Sequence, residues 1–187
     1  MKDLSLHVLD IAQNSISAGA KRIVISLRVS GVPPELEFEM TDDGRGMEPE
    51  FLKIVTDPFT TSRTTRQVGL GIPLLRQSAE IADGELIIES VTGKGTTIRA
   101  TFKRDHIDRI PIGDIAGTLV LLISANPEII WVVQLKSHKE EYLLDMEEVA
   151  GVLDGVSIQN SEVLLWIQNT LQESVNLVFG GVLDEVT

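Results

Sequence analysis

Cysteine is absent from this chain of 187 residues, and aromatic residues make up only 4% of it. Without cysteine there is no disulfide framework, thiolate metal site or cysteine nucleophile, and three His are the only soft metal ligands. Long apolar runs are also missing, because the most apolar stretch, 117–135, is interrupted at Asn126-Pro127-Glu128, and the first residues lack the apolar core of a signal peptide. We therefore expect a soluble, cytoplasmic protein that does not bind membranes.

Basic residues are scarce in the second part of the chain alone. Residues 1–104 carry 13 Lys and Arg against 14 Asp and Glu, whereas residues 105–187 carry 3 against 14, so the net charges are −1 and −11. Such an acidic surface repels phosphate backbones and anionic lipids, which disfavours nucleic acid as a partner. Two interpretations of the charge stay open: solubility, or docking to a basic partner.

The hydrophobic residues of the first part follow a regular order of helices and strands. Helical spacing predicts helices over 4–17, 48–55 and 70–82, and alternation predicts strands over 22–30, 35–41, 85–91 and 96–102. A polar loop rich in Thr and Arg covers 56–68. This order predicts an α+β sandwich, in which helices lie on one face of a mainly antiparallel sheet.

The pattern starts afresh after a connector over 103–117. Strands are predicted over 118–124, 129–136 and 141–144, and helices over 145–153 and 161–177, the last with Ser161 as its N-cap. We therefore predict two domains, 1–104 and a smaller α/β extension over 105–187 without an assigned role. Its apolar residues form either its core or an interface for a homodimer or a docked partner: Trp131, Val132, Leu164, Leu165, Trp166 and Ile167.

One stripe of the first helix is polar. His7, Asp10, Asn14 and Ser17 stand three and four residues apart and share one face, as they would on any solvated helix. A second polar segment, Asp42 to Met47, follows the second strand. Its two Gly let a backbone approach a planar ligand, and the carboxylate before them can accept hydrogen bonds from an exocyclic amine.

A third segment, Gly69-Leu70-Gly71-Ile72, opens a helix whose free amides and dipole can face phosphate. The dinucleotide-binding fingerprint does not fit here, because position 74 is Leu and no strand precedes the segment. Gly93-Lys94-Gly95-Thr96 lacks the spacing of a Walker P-loop. Both common nucleotide-binding folds are therefore excluded.

In this order, the segments resemble the GHKL superfamily of ATPases, which includes gyrase, heat-shock chaperones, mismatch-repair ATPases and histidine kinases. The resemblance covers about residues 4–103. It rests on Asp10 to Ala20, Asp42 to Met47, Asp57 to Arg63, Gly69 to Gly71 and Gly95 to Thr97. It implies a Bergerat-type sandwich and a stand-alone ATP-binding domain similar to that of histidine kinases.

The resemblance also implies a set of site residues. Those assigned to nucleotide binding are Asn14, Asp42, Gly44, Gly46, Met47, Arg63, Arg66, Gly69, Gly71 and Thr96. Asn14 would ligate Mg²⁺, Asp42 would bind the adenine amino group, and Thr96 would help to hold Asp42. The glycines would let the backbone close on base and phosphates, and the two Arg would meet phosphate from a mobile lid.

Asp10 is the candidate catalytic residue. It stands four residues before Asn14, where hydrolysing members of the family usually have Glu as general base. Asp is shorter by about 1 Å, so we expect slow hydrolysis if it is the base. In the alternative, Asp10 only orders water around the metal. His7 is interpreted as a polar edge that could approach the phosphates, and His106 and His138 as surface residues.

We therefore expect Mg²⁺-dependent ATP binding with slow hydrolysis, or phosphoryl transfer to a protein in a regulatory setting. Similar short kinase-like proteins phosphorylate Ser of antagonist proteins in bacterial sigma-factor switches. The alternative is a sensor that does not hydrolyse ATP, whose lid and C-terminal part report ATP or ADP to a regulatory protein partner.

Overall fold

The computed structural model describes residues 2–56 and 70–183. The helices are α1 (Leu4–Ser17), α2 (Pro49–Thr56), α3 (Gly71–Ile81), α4 (Ile115–Ala125), α5 (Met146–Val152) and α6 (Ser161–Phe179). The strands are β1 (Arg22–Ser30), β2 (Glu35–Asp42), β3 (Leu86–Val91), β4 (Gly95–Lys103), β5 (Ile130–Lys136) and β6 (Glu141–Asp145). Within the described ranges, no helix has both the length and the apolar character needed to cross a membrane.

The strands form one sheet in the order β3-β4-β2-β1-β5-β6. Among the described strand pairs of the sheet, only β1–β5 is parallel, with Ile23 beside Trp131 and Ile25 beside Val133. Alternate residues of β1 are buried, since one face of the strand packs under helices. The opposite face is polar and carries cross-strand ion pairs such as Arg28–Glu37 at 2.6 Å. The predicted α+β sandwich with a mainly antiparallel mixed sheet is confirmed.

Both predicted parts of the chain share this sheet and one buried core. Leu4 and Phe38 from the first part and Trp131 and Phe179 from the second belong to the same cluster of buried residues. The boundary at 104 is therefore not a break in the sheet. A separate role for residues 105–187 stays a prediction.

The connector between the two parts returns to the beginning of α1. The amide of Leu4 donates to the Pro111 carbonyl at 2.8 Å, and that of Ser5 donates to the Ile112 carbonyl at 3.0 Å. Asp3 caps the same turn, because its side chain accepts from the Leu6 amide at 3.1 Å. Amides at a helix start have no partner inside the helix, so residues 111–112 stabilise the start of α1.

Two predicted details of the second part are wrong. Residues 118–124 belong to helix α4, not to a strand, and the Asp114 side chain caps this helix by accepting from the Gly117 amide at 2.8 Å. A short apolar run does not separate a buried strand from a buried helix by its pattern. The N-cap of α6 is Asn160 rather than Ser161, since the Asn160 side chain accepts from the Glu162 amide at 2.8 Å.

Candidate functional site

A cavity of about 460 Å³ lies between α1, α2, the end of β2 and the β3–β4 turn. This volume is typical of small-molecule sites. The lining residues are Ile11, Asn14, Ser15, Ser17, Ala18, Asp42, Arg45, Gly46, Met47, Glu48, Phe51, Val55, Ile72, Thr92, Thr96 and Ile98. Apolar side chains therefore form much of the wall, and a few polar groups converge on it.

Asp42 is the buried carboxylate of this cavity, with 8% of its surface exposed. Its Oδ2 accepts a hydrogen bond from the Ser15 hydroxyl at 2.7 Å, and its Oδ1 accepts from the Gly44 amide at 2.9 Å. Each oxygen of an ionised carboxylate can accept a second hydrogen bond. Asp42 is thus held in one orientation and still has capacity for a ligand that donates.

Ser15 is a site residue that the sequence analysis did not single out. It is buried on the inner face of α1, next to Asn14, and reaches across to the end of β2. Thr96, which was expected to hold Asp42, lies opposite it in the β2–β4 register, while its hydroxyl pairs with that of Ser90 at 2.9 Å. The feature of the sequence that could have identified Ser15 is its position as a small polar residue on the otherwise apolar face of a helix.

The segment from Asp43 to Met47 is held on two sides. The Arg45 amide donates to the Ala18 carbonyl at 3.0 Å, and the Arg45 carbonyl accepts from the Gly93 amide at 2.7 Å. Asp43 accepts from the amides of Lys21 and Arg22 at 2.7 and 2.9 Å. Burial opposes ionisation of Asp43, but these amide hydrogen bonds outweigh it and lower its pKa.

Glycine is required in this segment by close packing. A Cβ at Gly44 would lie 2.9 Å from Asp42 Oδ1, and one at Gly46, whose φ is +65°, would collide with the Val91 carbonyl oxygen. A Cβ at Gly95, with φ +106°, would collide with the Asp42 carbonyl oxygen. The backbone therefore forms a tight cradle beside Asp42.

The other end of the site lies where α1 meets the start of α3. Asn14 and Asp10 are exposed on α1, one helical turn apart. A Cβ at Gly71 would lie 2.9 Å from Asp10 Cβ and 3.3 Å from Asp10 Oδ2. Asp10 and Ala18 are eight positions apart along α1, which corresponds to a rise of about 12 Å. The two ends are therefore spaced to suit an elongated ligand.

His7 is not the polar edge that the stripe on α1 predicts. It is fully buried, and its Nε2 lies 3.2 Å from the Ser78 hydroxyl of α3. Among the described residues, its Nδ1 has no partner. Burial lowers the pKa of His7 to about 4, so the ring is neutral at physiological pH. Asp10, Asn14 and Ser17 are the exposed members of the predicted stripe, whereas His7 packs against helix α3.

The structure brings most of the predicted site residues together. Asn14, Asp42, Gly46, Met47 and Thr96 line the cavity. Asp10, Gly44 and Gly71 are not among the lining residues, but Gly44 lies beside Asp42 and Gly71 lies beside Asp10. Arg63, Arg66 and Gly69 lie outside the described residues. Of the other His, His138 is exposed, while His106 is partly buried with its Nε2 3.6 Å from Asp83.

Among the described residues, a metal ion would need further oxygen ligands from a bound molecule and from water. These residues contain no group of three or more His, Asp or Glu able to hold an ion. Mg²⁺ is usually bound by one or two protein oxygens together with waters and phosphate oxygens. The exposed amide of Asn14, with the Asp10 carboxylate one turn away, fits that donor set.

Residues 2–106 match the family model described as histidine kinase-, DNA gyrase B- and HSP90-like ATPase. Sporulation kinase C of Bacillus subtilis is 32% identical over 91 residues, which cover 49% of this chain and 21% of that protein. Histidine protein kinase DivJ of Caulobacter vibrioides is 30% identical over 95 residues, covering 49% of this chain and 16% of that protein. The chain therefore matches about a fifth, or less, of the length of these relatives.

The fold also resembles a solved structure, the N-terminal domain of a DNA repair protein. The TM-score is 0.50 at 17% identity, and the match covers 78% of this chain and 53% of that one. At this identity the likeness concerns the fold alone.

Proposed function

Because the chain belongs to the family of histidine kinase-, DNA gyrase B- and HSP90-like ATPases, we propose that it binds Mg²⁺-ATP in the α1–β2 cavity for signalling. It then hydrolyses the nucleotide slowly or transfers the γ-phosphate to a partner protein. The observation that carries this proposal is Asp42, buried beside a glycine cradle and hydrogen-bonded by Ser15 and Gly44.

Asp42 would recognise the adenine ring. Its carboxylate is an acceptor only, and the amino group of adenine is a donor, whereas guanine offers a carbonyl oxygen at that position. A buried acceptor left without a donor costs about 1–3 kcal/mol, which would disfavour guanine. Gly44 and Gly46 would let the backbone approach the flat base, and Met47 and Ile98 would pack against it.

Asn14 and Asp10 would act at the phosphate end. When bound, Mg²⁺ would offset the negative charge of the phosphates, and Asn14 would hold it through the amide oxygen. Asp10 would accept the proton of a water that attacks the γ-phosphorus, while the bond from that phosphorus to the oxygen of ADP breaks. The short Asp side chain would make this step slow.

The test follows the label of γ-³²P-ATP on the purified chain with Mg²⁺, beside Asp42→Asn and the matched control Asp83→Asn. Asp83 is an exposed acid in the α3–β3 turn. We expect ATP to bind the unaltered chain and the control, and Asp42→Asn to weaken binding roughly thirtyfold, as for about 2 kcal/mol. Absence of ATP binding by the unaltered chain would overturn the proposal.

Asp10→Asn and Asp10→Glu separate turnover from binding. If Asp10 is the general base, the Asn variant keeps ATP affinity and loses phosphate release by roughly a hundredfold or more, whereas Glu retains or increases it. Unchanged release in Asp10→Asn would remove Asp10 from the mechanism and leave it as a residue that orders water around the metal.

A sensor without turnover is the second candidate function. It is supported by the hydrogen bonds from Leu4 and Ser5 to the carbonyls of Pro111 and Ile112, which join the nucleotide-facing helix to the second part of the chain. Amide exchange at residues 111–117 with ATP and with ADP tests it. Different protection in the two states, together with retained and uncleaved ATP, is the expected result for a sensor.

A further inference from the structure

The last 48 residues of the chain contain no positive charge. After Lys139 the sequence has no Lys, Arg or His, and residues 140–187 carry 10 Asp and Glu. Helix α6 lies within this stretch and outside the segment that matches the ATPase family. Its surface is therefore acidic and is not part of the nucleotide site.

One side of α6 is exposed and partly apolar. Leu165, Trp166 and Leu177 are 58%, 50% and 60% exposed, whereas Val163, Ile167 and Leu171 on the other side are buried. Glu173 and Leu177 follow Trp166 by two and three helical turns, and Glu162 precedes it by one, so all four lie on the same side. We name Glu162, Leu165, Trp166, Glu173 and Leu177 the α6 outer face.

The exposure of Trp166 is not explained by the fold. Trp131, the other Trp, is only 1% exposed and donates from its indole nitrogen to the Asn126 carbonyl. Trp166 follows Leu165 in the sequence and shares its side of α6 with two acids, Glu162 and Glu173. Among the described residues, neither acid forms an ion pair. Trp is enriched at the centres of protein interfaces, where it often contributes much of the binding energy.

We propose that the α6 outer face binds a basic, amphipathic segment of a partner protein. Apolar side chains of the partner would cover Leu165 and Trp166, and its Lys or Arg would pair with Glu162 and Glu173. Charge selects this occupant, because a second copy would bring the same acids to the contact, and nucleic acid or an anionic membrane would be repelled. The proposal rests on the proposed function only in requiring a protein partner.

Intrinsic fluorescence provides a direct test. The probe is a short amphipathic helix of leucine and lysine, compared with one in which glutamate replaces every lysine. We expect the lysine peptide to shift the Trp emission to the blue, because Trp166 is half exposed while Trp131 is already buried. The affinity falls as salt rises, and the glutamate peptide causes no shift. Equal binding of both peptides would overturn the proposal.

Variants locate the binding face. The first double variant, Leu165→Ala with Trp166→Phe, keeps an aromatic ring but removes part of the apolar contact. The second is Glu162→Lys with Glu173→Lys. Each should weaken binding of the lysine peptide about tenfold, measured by calorimetry. Ile107→Ala removes an aliphatic side chain from the connector that is 95% exposed, more than Leu165 or Trp166, and Glu35→Lys reverses an exposed acid on β2. We expect both controls to bind as the unaltered chain does, and losses equal to those of the α6 variants would overturn the proposal.

Sedimentation and ATP binding are measured on the same samples. Self-association that disappears in the Leu165→Ala, Trp166→Phe variant would show that a second copy covers this face, which contradicts a basic partner. ATP affinity should be the same in all these variants. A chain that binds the peptide but not ATP would overturn the proposed function alone, and the reverse result would overturn only the docking proposal.

Discussion

The two parts of the chain, which meet near residue 104, contribute unequally to the cavity and differ in net charge. Every described residue that lines the cavity comes from the first part, between Ile11 and Ile98. The second part supplies β5, β6 and three helices, and carries a net charge of −11 against −1 for the first. Within the described residues, the cavity thus belongs to the first part, whereas the second part supplies an acidic surface.

The packing of the fold, in contrast, involves both parts of the chain. Strand β5 lies beside β1 along seven residue pairs, and helix α4 packs against α1, the helix that carries Asp10 and Asn14. A site can therefore be encoded in one part of a chain and depend on the other for its shape.

The largest expected effect is on the free energy of unfolding, when each of the two Trp of the second part is replaced. Trp131→Ala should lower the free energy of unfolding by about 3–5 kcal/mol, because it empties a buried site, and Trp166→Ala by about 1 kcal/mol or less. Urea denaturation measures both. If Trp131→Ala unfolds in two separate steps, the second part is an independent domain and the shared core does not make the chain cooperative.

The next effect concerns the glycine cradle of the first part. Gly95→Ala should cost roughly 3 kcal/mol and abolish ATP binding, since its Cβ would collide with the Asp42 carbonyl. Gly93→Ala in the same turn has φ +75° and no atom near its Cβ, so we expect about 1 kcal/mol and normal binding. Thermal unfolding and nucleotide titration compare them, and equal losses would mean that backbone conformation alone sets the requirement.

His7 should make stability depend on pH. Its pKa is about 4 in the folded protein against an ordinary value of 6.5, so above pH 6.5 it is neutral in both states and costs nothing. As pH falls from 6.5 to 4, only the unfolded state binds the proton, and the free energy of unfolding decreases by about 3 kcal/mol in total. The loss is complete below pH 4.

Urea denaturation across this pH range tests the assignment. In His7→Gln that part of the pH dependence should disappear, while in His138→Gln, which alters an exposed His, it should remain. The same slope in His7→Gln and in the unaltered chain would assign the pH dependence to other groups.

The smallest expected effect is on Ser15. Ser15→Ala removes the hydrogen bond that orients Asp42 and should weaken ATP binding by about tenfold, as for about 1.4 kcal/mol. Ser17→Ala removes a hydroxyl that lines the same cavity from the exposed side of α1 and should change the affinity little. Calorimetry with both variants distinguishes orientation of Asp42 from direct contact, since a larger loss in Ser17→Ala would contradict the role of Ser15.

Much of the first part was predictable because its patterns are local. The helix over 4–17 and the strands over 22–30 and 35–41 follow from spacing within each segment, and the structure has them at nearly those bounds. The association of Asn14 with Asp42 was inferred from resemblance, since nothing local joins residues so far apart in sequence. The second part was less predictable, as the helix at 115–125 shows, because a short apolar run fits both a buried strand and a buried helix.

The sequence by itself determined the α+β order of the first part and the glycine-rich segments, and its resemblance to the ATPase family pointed to Asn14, Asp42 and Thr96 among the residues that line the cavity. Only the tertiary structure decided that β5 joins β1 in the same sheet, that His7 is buried against Ser78, and that Ser15 holds Asp42. The reason is physical. Propensity and periodicity act over a few residues, whereas burial and hydrogen bonding between distant segments depend on which surfaces the completed sheet brings into contact.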